Sequence, residues 1–231
     1  GTMGDANSAT TNITMNGNYS IVANFAIDRY DLTISSTSGG NVTTPGEATY
    51  GYNASEVVDL VATPDANYHF VNWTGDTGTM GDANSATTNI TMNGNYSIVA
   101  NFAINRYNLT TSSSDGGNVT TPGEGVFGPY DHGTVVGLDA TPDANYHFVN
   151  WTGDTGTIAN STAANTTINM TGNYTIVANF AINRYNLTTS SSSGGNVTTP
   201  GEGVFGPYDH GTVVGLDAMA DSGYHFVNWT G

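Results

Sequence analysis

The chain has 231 residues, 37% of them hydrophobic and 10% charged, and three basic residues face 19 acidic ones for a formal net charge of -16. That balance argues against nucleic acid and anionic lipid as partners, since both are held by cations that displace counterions. There is no cysteine, and all three basic residues are arginine. Disulfides, thiolate metal sites and thiol nucleophiles are therefore excluded, and the missing lysine excludes Lys-Asn isopeptide crosslinks. No apolar run approaches the roughly 20 residues a membrane-spanning helix needs, so insertion of that kind is not expected.

Self-comparison orders everything else. Residues 1–27 reproduce residues 78–104 without a mismatch. The phrase F-V-N-W-T-G-D-T-G-T runs from Phe70 to Thr79 and again from Phe148 to Thr157, and its first half returns at Phe226 to Gly231. The phrase R-Y-[DN]-L-T begins at Arg29, Arg106 and Arg184, a spacing of 77 and then 78 residues. Residues 1–28 thus read as the C-terminal part of a repeat, 29–105 and 106–183 as whole repeats, and 184–231 as the N-terminal part of another. Two part-repeats would carry unpaired strand edges, so the expectation is either a segment of a longer array or a subunit completed by its neighbour.

Within residues 106–183 a period of two dominates. Tyr107, Leu109 and Thr111 alternate with polar residues in a first strand, and Asp115-Gly116-Gly117 turns it into Asn118 to Thr121, which Pro122-Gly123 breaks. Thr134 to Ala140 reads as a half-buried strand, Thr141 to Asn145 as a turn, and Tyr146 to Trp151 as the next strand. In the preceding repeat Asn93-Gly94 lies between two alternating segments, and its chemistry predicts a type I′ hairpin there. No apolar residues recur at helical spacing over ten positions. The expected fold is all-β, or β-grasp-like α+β with little helix: a tandem array of small antiparallel β modules forming a rod. The predicted core is Tyr107, Leu109, Val136, Leu138, Tyr146, Phe148, Trp151, Ile176, Phe180 and their equivalents.

These stretches resemble the divergent internalin-type B-repeat, found in long extracellular proteins of bacteria and archaea. The resemblance is carried by Tyr107 to Thr110, Gly133 to Pro142, Asn145 to Asp154 and the closing Val177-Ala178-Asn179-Phe180, and it covers the whole chain. It implies a small β-grasp-like or all-β module serving as a spacer or adhesive repeat without catalysis. The first repeat departs from the pattern at Tyr52 to Glu56 and the last at Met219 to Gly223.

N-x-S/T sequons are dense. Those beside turns or at strand ends, Asn41, Asn95, Asn108, Asn118, Asn173, Asn186 and Asn196, are the glycosylation candidates, whereas Asn72, Asn150 and Asn228 flank the tryptophans and read as structural. Trp73, Trp151 and Trp229 suit a core better than a sugar-stacking platform, and His69, His147 and His225 suit a solvated strand face. His132 with Asp131, and His210 with Asp209, supply too few ligands for zinc. Asp76, Asp82 and Asp154 offer oxygen ligands for Ca²⁺, the one cofactor the loops suggest, but without the D-x-D-x-D-G rhythm of a dedicated site. No nucleophile-elbow phrase is present.

The function expected is a structural repeat segment of an extracellular filament, sheath or cell-surface protein, N-glycosylated and assembling head-to-tail with itself or within a longer covalent array, and not an enzyme. The alternative is an adhesin spacer that recognises glycans or host and partner proteins.

Overall fold

The computed structural model describes residues 2–231, and among them every regular element is a strand. The chain divides into two compact units, Gly1–Ala103 and Ile104–Gly231. The first module is built from β1 (Arg29–Ser36), β2 (Gly40–Thr44), β3 (Thr49–Asn53), β4 (Val57–Pro64), β5 (Tyr68–Gly75), β6 (Thr87–Thr91) and β7 (Tyr96–Ile104). The second repeats it as β8 (Arg106–Ser113), β9 (Gly117–Thr121), β10 (Gly125–Asp131), β11 (Thr134–Pro142), β12 (Tyr146–Gly153), β13 (Asn165–Met170) and β14 (Tyr174–Ile182).

Each complete module has two sheets. One is four-stranded, ordered β3-β1-β7-β5 and β10-β8-β14-β12, and the other three-stranded, ordered β2-β4-β6 and β13-β11-β9. Alternation explains why they pack. Leu32 and Ile34 of β1 are buried while their neighbours face out, and Val58, Leu60 and Ala62 of β4 do the same on the facing sheet. Trp73, Ile90, Met92, Ile98 and Ala100 complete that core, and Trp151, Leu109, Leu138, Ile168, Met170 and Ile176 its counterpart. Burying a Leu or Ile side chain contributes roughly 1.5–3 kcal/mol, so a core this small rests on nearly every inward position. The predicted core residues Leu109, Val136, Leu138, Trp151 and Ile176 are buried, and Tyr107, Phe148 and Phe180 pack on its edge, whereas Tyr146 lies outside it, half-buried with its ring over Gly116.

Two expectations need correction. The sheets are antiparallel apart from their central pair, because the first and last strands of each module run parallel: β1 with β7 from Leu32↔Tyr96 to Ser36↔Ala100, and β8 with β14 from Leu109↔Tyr174 to Ser113↔Ala178. Asn93-Gly94, moreover, makes no hairpin. Strand β6 pairs with β4 and β7 with β1, so the dipeptide carries the chain from one sheet to the other. Neither residue has the positive φ a type I′ turn requires, because both flanking strands find better partners at long range. No helix occurs among the described residues, so the helical part of a β-grasp is not formed.

The third module has β15 (Arg184–Thr189), β16 (Gly195–Thr199), β17 (Gly203–Asp209) and β18 (Asp217–Ala220). These pair only as β15-β17 and β16-β18.

Candidate functional site at the module junction and open strand edges

The W-T-G-D phrase closes each module backbone against backbone. Gly153 has φ +92, and a Cβ there would lie 2.3 Å from the Thr175 oxygen. That close approach lets Asp154 N donate to Thr175 O at 2.9 Å while Asp154 Oδ2 accepts from Thr175 N at 2.8 Å. Gly75, Asp76 and Ser97 repeat the arrangement. The tryptophan of the phrase is buried, and its indole N–H donates at 3.0 Å to the Ser85 carbonyl from Trp73 and to the Ala163 carbonyl from Trp151.

The Ca²⁺ candidates each accept a backbone hydrogen bond. Asp76 and Asp154 hold backbone amides, and Asp82 Oδ1 accepts from Asn84 N at 2.8 Å in a local turn. Among the described residues no group of three or more His, Asp or Glu is placed to hold a metal ion. Asp131 pairs with Arg106 at 2.8 Å and Asp209 with Arg184 at 2.7 Å, while His132 and His210 lie edge-on against Tyr107 and Tyr185.

A glutamate that sequence reasoning passed over ties the two sheets together. Glu124 Oε1 accepts from Ser113 Oγ at 2.5 Å, beside the end of β8, and from Val119 N at 3.2 Å on β9. These bonds stabilise the carboxylate, the serine contributing most, and hold its pKa below the ordinary 4.5. Glu202 does the same with Ser191 and Val197, and its pKa is lowered for the same reason. Glu47 bridges Ser36 and Val42. The signal was present: three of only four glutamates follow T-P-G, one per repeat.

All seven glycosylation candidates, Asn41, Asn95, Asn108, Asn118, Asn173, Asn186 and Asn196, are exposed. Two also have structural work. Asn95 Oδ1 accepts from Asp31 N at 2.9 Å and Asn173 Oδ1 from Asn108 N at 2.8 Å. Asn72 and Asn150 are half-buried and clamped by Asn101 and Asn179 respectively.

The junction between the second and third modules is a single residue. Asn183 N donates to Asn145 O at 2.8 Å, Asn183 O accepts from His210 N at 2.7 Å, and Asn183 Oδ1 lies 3.0 Å from His147 Nδ1. His147 stays exposed, as alternation predicted, but it reaches this partner.

The model of the divergent InlB B-repeat domain matches residues 30–106, 107–184 and 185–231. The chain belongs to that family. No curated protein and no solved structure matches the chain. Domains of this family are typical of surface-associated proteins, and three in tandem make this a surface-protein repeat region. No helix among the described residues is long and apolar enough to cross a membrane.

Two parts of this B-repeat array depart from the packing of the complete modules. In the third repeat Trp229 is 44% exposed, against 2% for Trp73 and Trp151. Beside it opens a cleft of 390 Å³ lined by Gly195, Val197, Ala218, Phe226 and Trp229 among others. In the complete repeats that place is filled. A Cβ on Gly40 or Gly117 would lie 2.6 Å from the ring of Phe102 or Phe180, and each ring meets Phe70 or Phe148 edge-on. Residues 15–27 form no strand and expose Ile21, Phe25 and Ile27.

Proposed function

We propose that this B-repeat region is a non-catalytic, tension-bearing segment of an extracellular filament, sheath or cell-surface protein, hydrated by N-linked glycans. The observation that carries the reading is the parallel pairing of the first and last strands of each module. Force enters the second module at Arg106 and leaves at Ile182, at opposite ends of neighbouring parallel strands. The five paired positions from Leu109↔Tyr174 to Ser113↔Ala178 are then loaded in shear, so their hydrogen bonds must fail together. Pulled apart from one end, the same bonds would fail one at a time. A single residue, Asn105, follows Ile104 before Arg106, so tension passes from strand to strand with no compliant linker.

Support for glycans comes from exposure of all seven candidate asparagines on a surface with few charges. Intact-mass analysis of native material tests this, with sugar increments above 24.0 kDa expected.

The chain has no cysteine, so introduced thiols give unique handles. Single-molecule pulling between Arg106→Cys and Asn183→Cys is expected to need clearly higher force than pulling between Arg106→Cys and Asp131→Cys, which peels β8 from β10 starting at the Arg106↔Asp131 end. Equal forces in the two geometries would sink the tension-bearing reading.

A further inference from the structure

We propose that strand β3 of the first module is a docking edge for the same strand of a second copy of this chain, and that Arg29 and Glu56 cover it until the partner displaces them. Every edge strand must send its outward backbone groups somewhere. In this module β2, β3, β5 and β6 lie at the sheet edges. Three of them are covered from within the module. On β2, Val42 N donates to Glu47 Oε1 at 3.0 Å and Gly40 O accepts from Ser36 Oγ at 3.2 Å. On β5, Trp73 N donates to Ala83 O at 2.7 Å. On β6, Asn89 O accepts from Gly81 N at 2.9 Å and Thr91 N donates to Thr79 O at 3.1 Å.

Strand β3 differs. Ile34 N donates to Ala48 O at 2.9 Å and Ala54 N to Asp28 O at 2.8 Å, which fixes the phase of its ladder with β1. Bonded and non-bonded pairs alternate along such a ladder, so Tyr50 and Tyr52 bond to β1 while Thr49, Gly51 and Asn53 turn their N–H and C=O groups outward. Two of these outward groups are covered, both by exposed side chains. Arg29 Nη2 donates to Gly51 O at 3.0 Å, and Asn53 N donates to Glu56 Oε2 at 2.9 Å. A solvated hydrogen bond of this kind contributes little net stability, so an arriving backbone can replace it at small cost.

The sequence of the strand selects its occupant. The equivalent strands β10 and β17 shift register beside Pro129 and Pro207, which have no N–H to offer a partner. In their place the first module has Tyr50-Gly51-Tyr52, with no proline and an unbroken register of five pairs from Arg29↔Asn53 to Thr33↔Thr49. The triplet reads the same in both directions, so an antiparallel second copy meets it with the same residues about a two-fold axis.

That axis sets Gly51 against the partner's Gly51, Tyr50 against the partner's Tyr52, and Thr49 against the partner's Asn53. Gly51 O then accepts from the partner's Gly51 N in place of Arg29, and Asn53 N donates to the partner's Thr49 O in place of Glu56. Tyr50 and Tyr52, half-buried with ring centroids 6.3 Å apart, gain the partner's pair as cross-strand neighbours. On the opposite face Gly51 puts no side chain at the axis, and the Arg29 and Asp31 side chains lie beside the space it leaves. Main-chain hydrogen bonds supply the affinity of an added strand and alternate side chains its specificity. The first repeat departs from the others at Tyr52 to Glu56, the same stretch that supplies the continuous edge and the Glu56 cover. The proposal does not rest on the tension-bearing reading, whose test uses the second module.

The 231-residue chain is to be examined by analytical ultracentrifugation over a wide range of concentration. Physiological ionic strength is used, where a Debye length of about 8 Å screens the repulsion between two acidic chains. A concentration-dependent dimer is expected. Gly51→Pro removes an outward N–H and no bond to β1, so the parent's thermal unfolding is kept while the dimer is lost. Arg29→Ala/Glu56→Ala uncovers the edge and should bring dimerisation to several-fold lower concentration. The chain has no cysteine, so Gly51→Cys adds a single thiol. Across the axis the two copies of that residue have Cα atoms about 5.5 Å apart, within disulfide range. Diamide should therefore link Gly51→Cys chains much faster than Val126→Cys chains, whose thiol sits on β10. A chain that stays monomeric overturns the proposal, as does a multimer that survives Gly51→Pro. Dimerisation unchanged by uncovering the edge, or cross-linking no faster at Gly51→Cys than at Val126→Cys, overturns it too.

Discussion

The side-chain amide of Asn101 donates to both oxygens of Asn72, at 3.2 Å to the backbone carbonyl and 3.0 Å to Oδ1, and also reaches Thr74 Oγ1 at 3.0 Å. Asn179 repeats the clamp on Asn150 and Thr152. A branched donor on the last strand thus staples the edge strand beside it, on the face away from the core. Replacing Asn101 by Ala removes all of these bonds at a half-buried site and is expected to cost about 1–2 kcal/mol. Urea denaturation checks this, and a loss near zero would make the clamp ornamental.

Gly153 has a different task. Its φ of +92 and the 2.3 Å approach of Thr175 O to a would-be Cβ mean that Gly153→Ala adds both backbone strain and a backbone clash. A loss of about 1–3 kcal/mol is expected from the strain alone, and Asp154 would be shifted away from Thr175. Amide hydrogen exchange should show faster exchange at Thr175 than in the parent chain.

For Trp151, truncation to Ala opens a cavity and leaves the Ala163 carbonyl without its donor. The cost expected in chemical denaturation is about 3–5 kcal/mol. The same substitution at Trp229, already 44% exposed, should cost the isolated chain far less.

Acid should weaken the modules through their inter-sheet glutamates. Hydrogen bonding holds the Glu124 and Glu202 carboxyls below 4.5 in the folded chain. Their contribution is present at neutral pH and is lost as pH falls from the ordinary carboxylate range through the lower folded value. Glu124→Gln, measured by thermal unfolding between neutral and acid pH, should show a smaller acid-induced drop than the parent. At the alkaline end burial raises the Tyr52 pKa above 10.0. Stability from its neutral hydroxyl is present below 10 and declines as pH rises beyond it, and Tyr52→Phe should remove that decline.

How far the residues announce this architecture differs from place to place. The repeat, the strand alternation of Leu32 and Ile34, and the buried tryptophans follow from period-two patterning and from the need of a small module for one large aromatic. Pairing did not follow. Asn93-Gly94 carries hairpin chemistry, yet the buried faces of β6 and β7 are claimed by β4 and β1, whose apolar partners lie far off in sequence. Local turn preference is worth less than those long-range contacts. The junction at Asn183 and the inter-sheet bonds of Glu124 were hidden for a related reason: each joins segments whose closeness depends on topology. The backbone hydrogen bonds that Asp76 and Asp154 accept could not be read from residue type, since each reaches a strand about twenty residues further along the chain.

The place of β7 between β1 and β5 has a consequence for synthesis. The middle of the larger sheet is the last part of each module to leave the ribosome. Until it arrives, β1 has only β3 beside it and β5 has no partner in its sheet, so the larger sheet must wait on a long-range closure that is slow to find. A growing array of this kind therefore matures in quanta of one repeat, each sheet sealed only when its final strand has emerged.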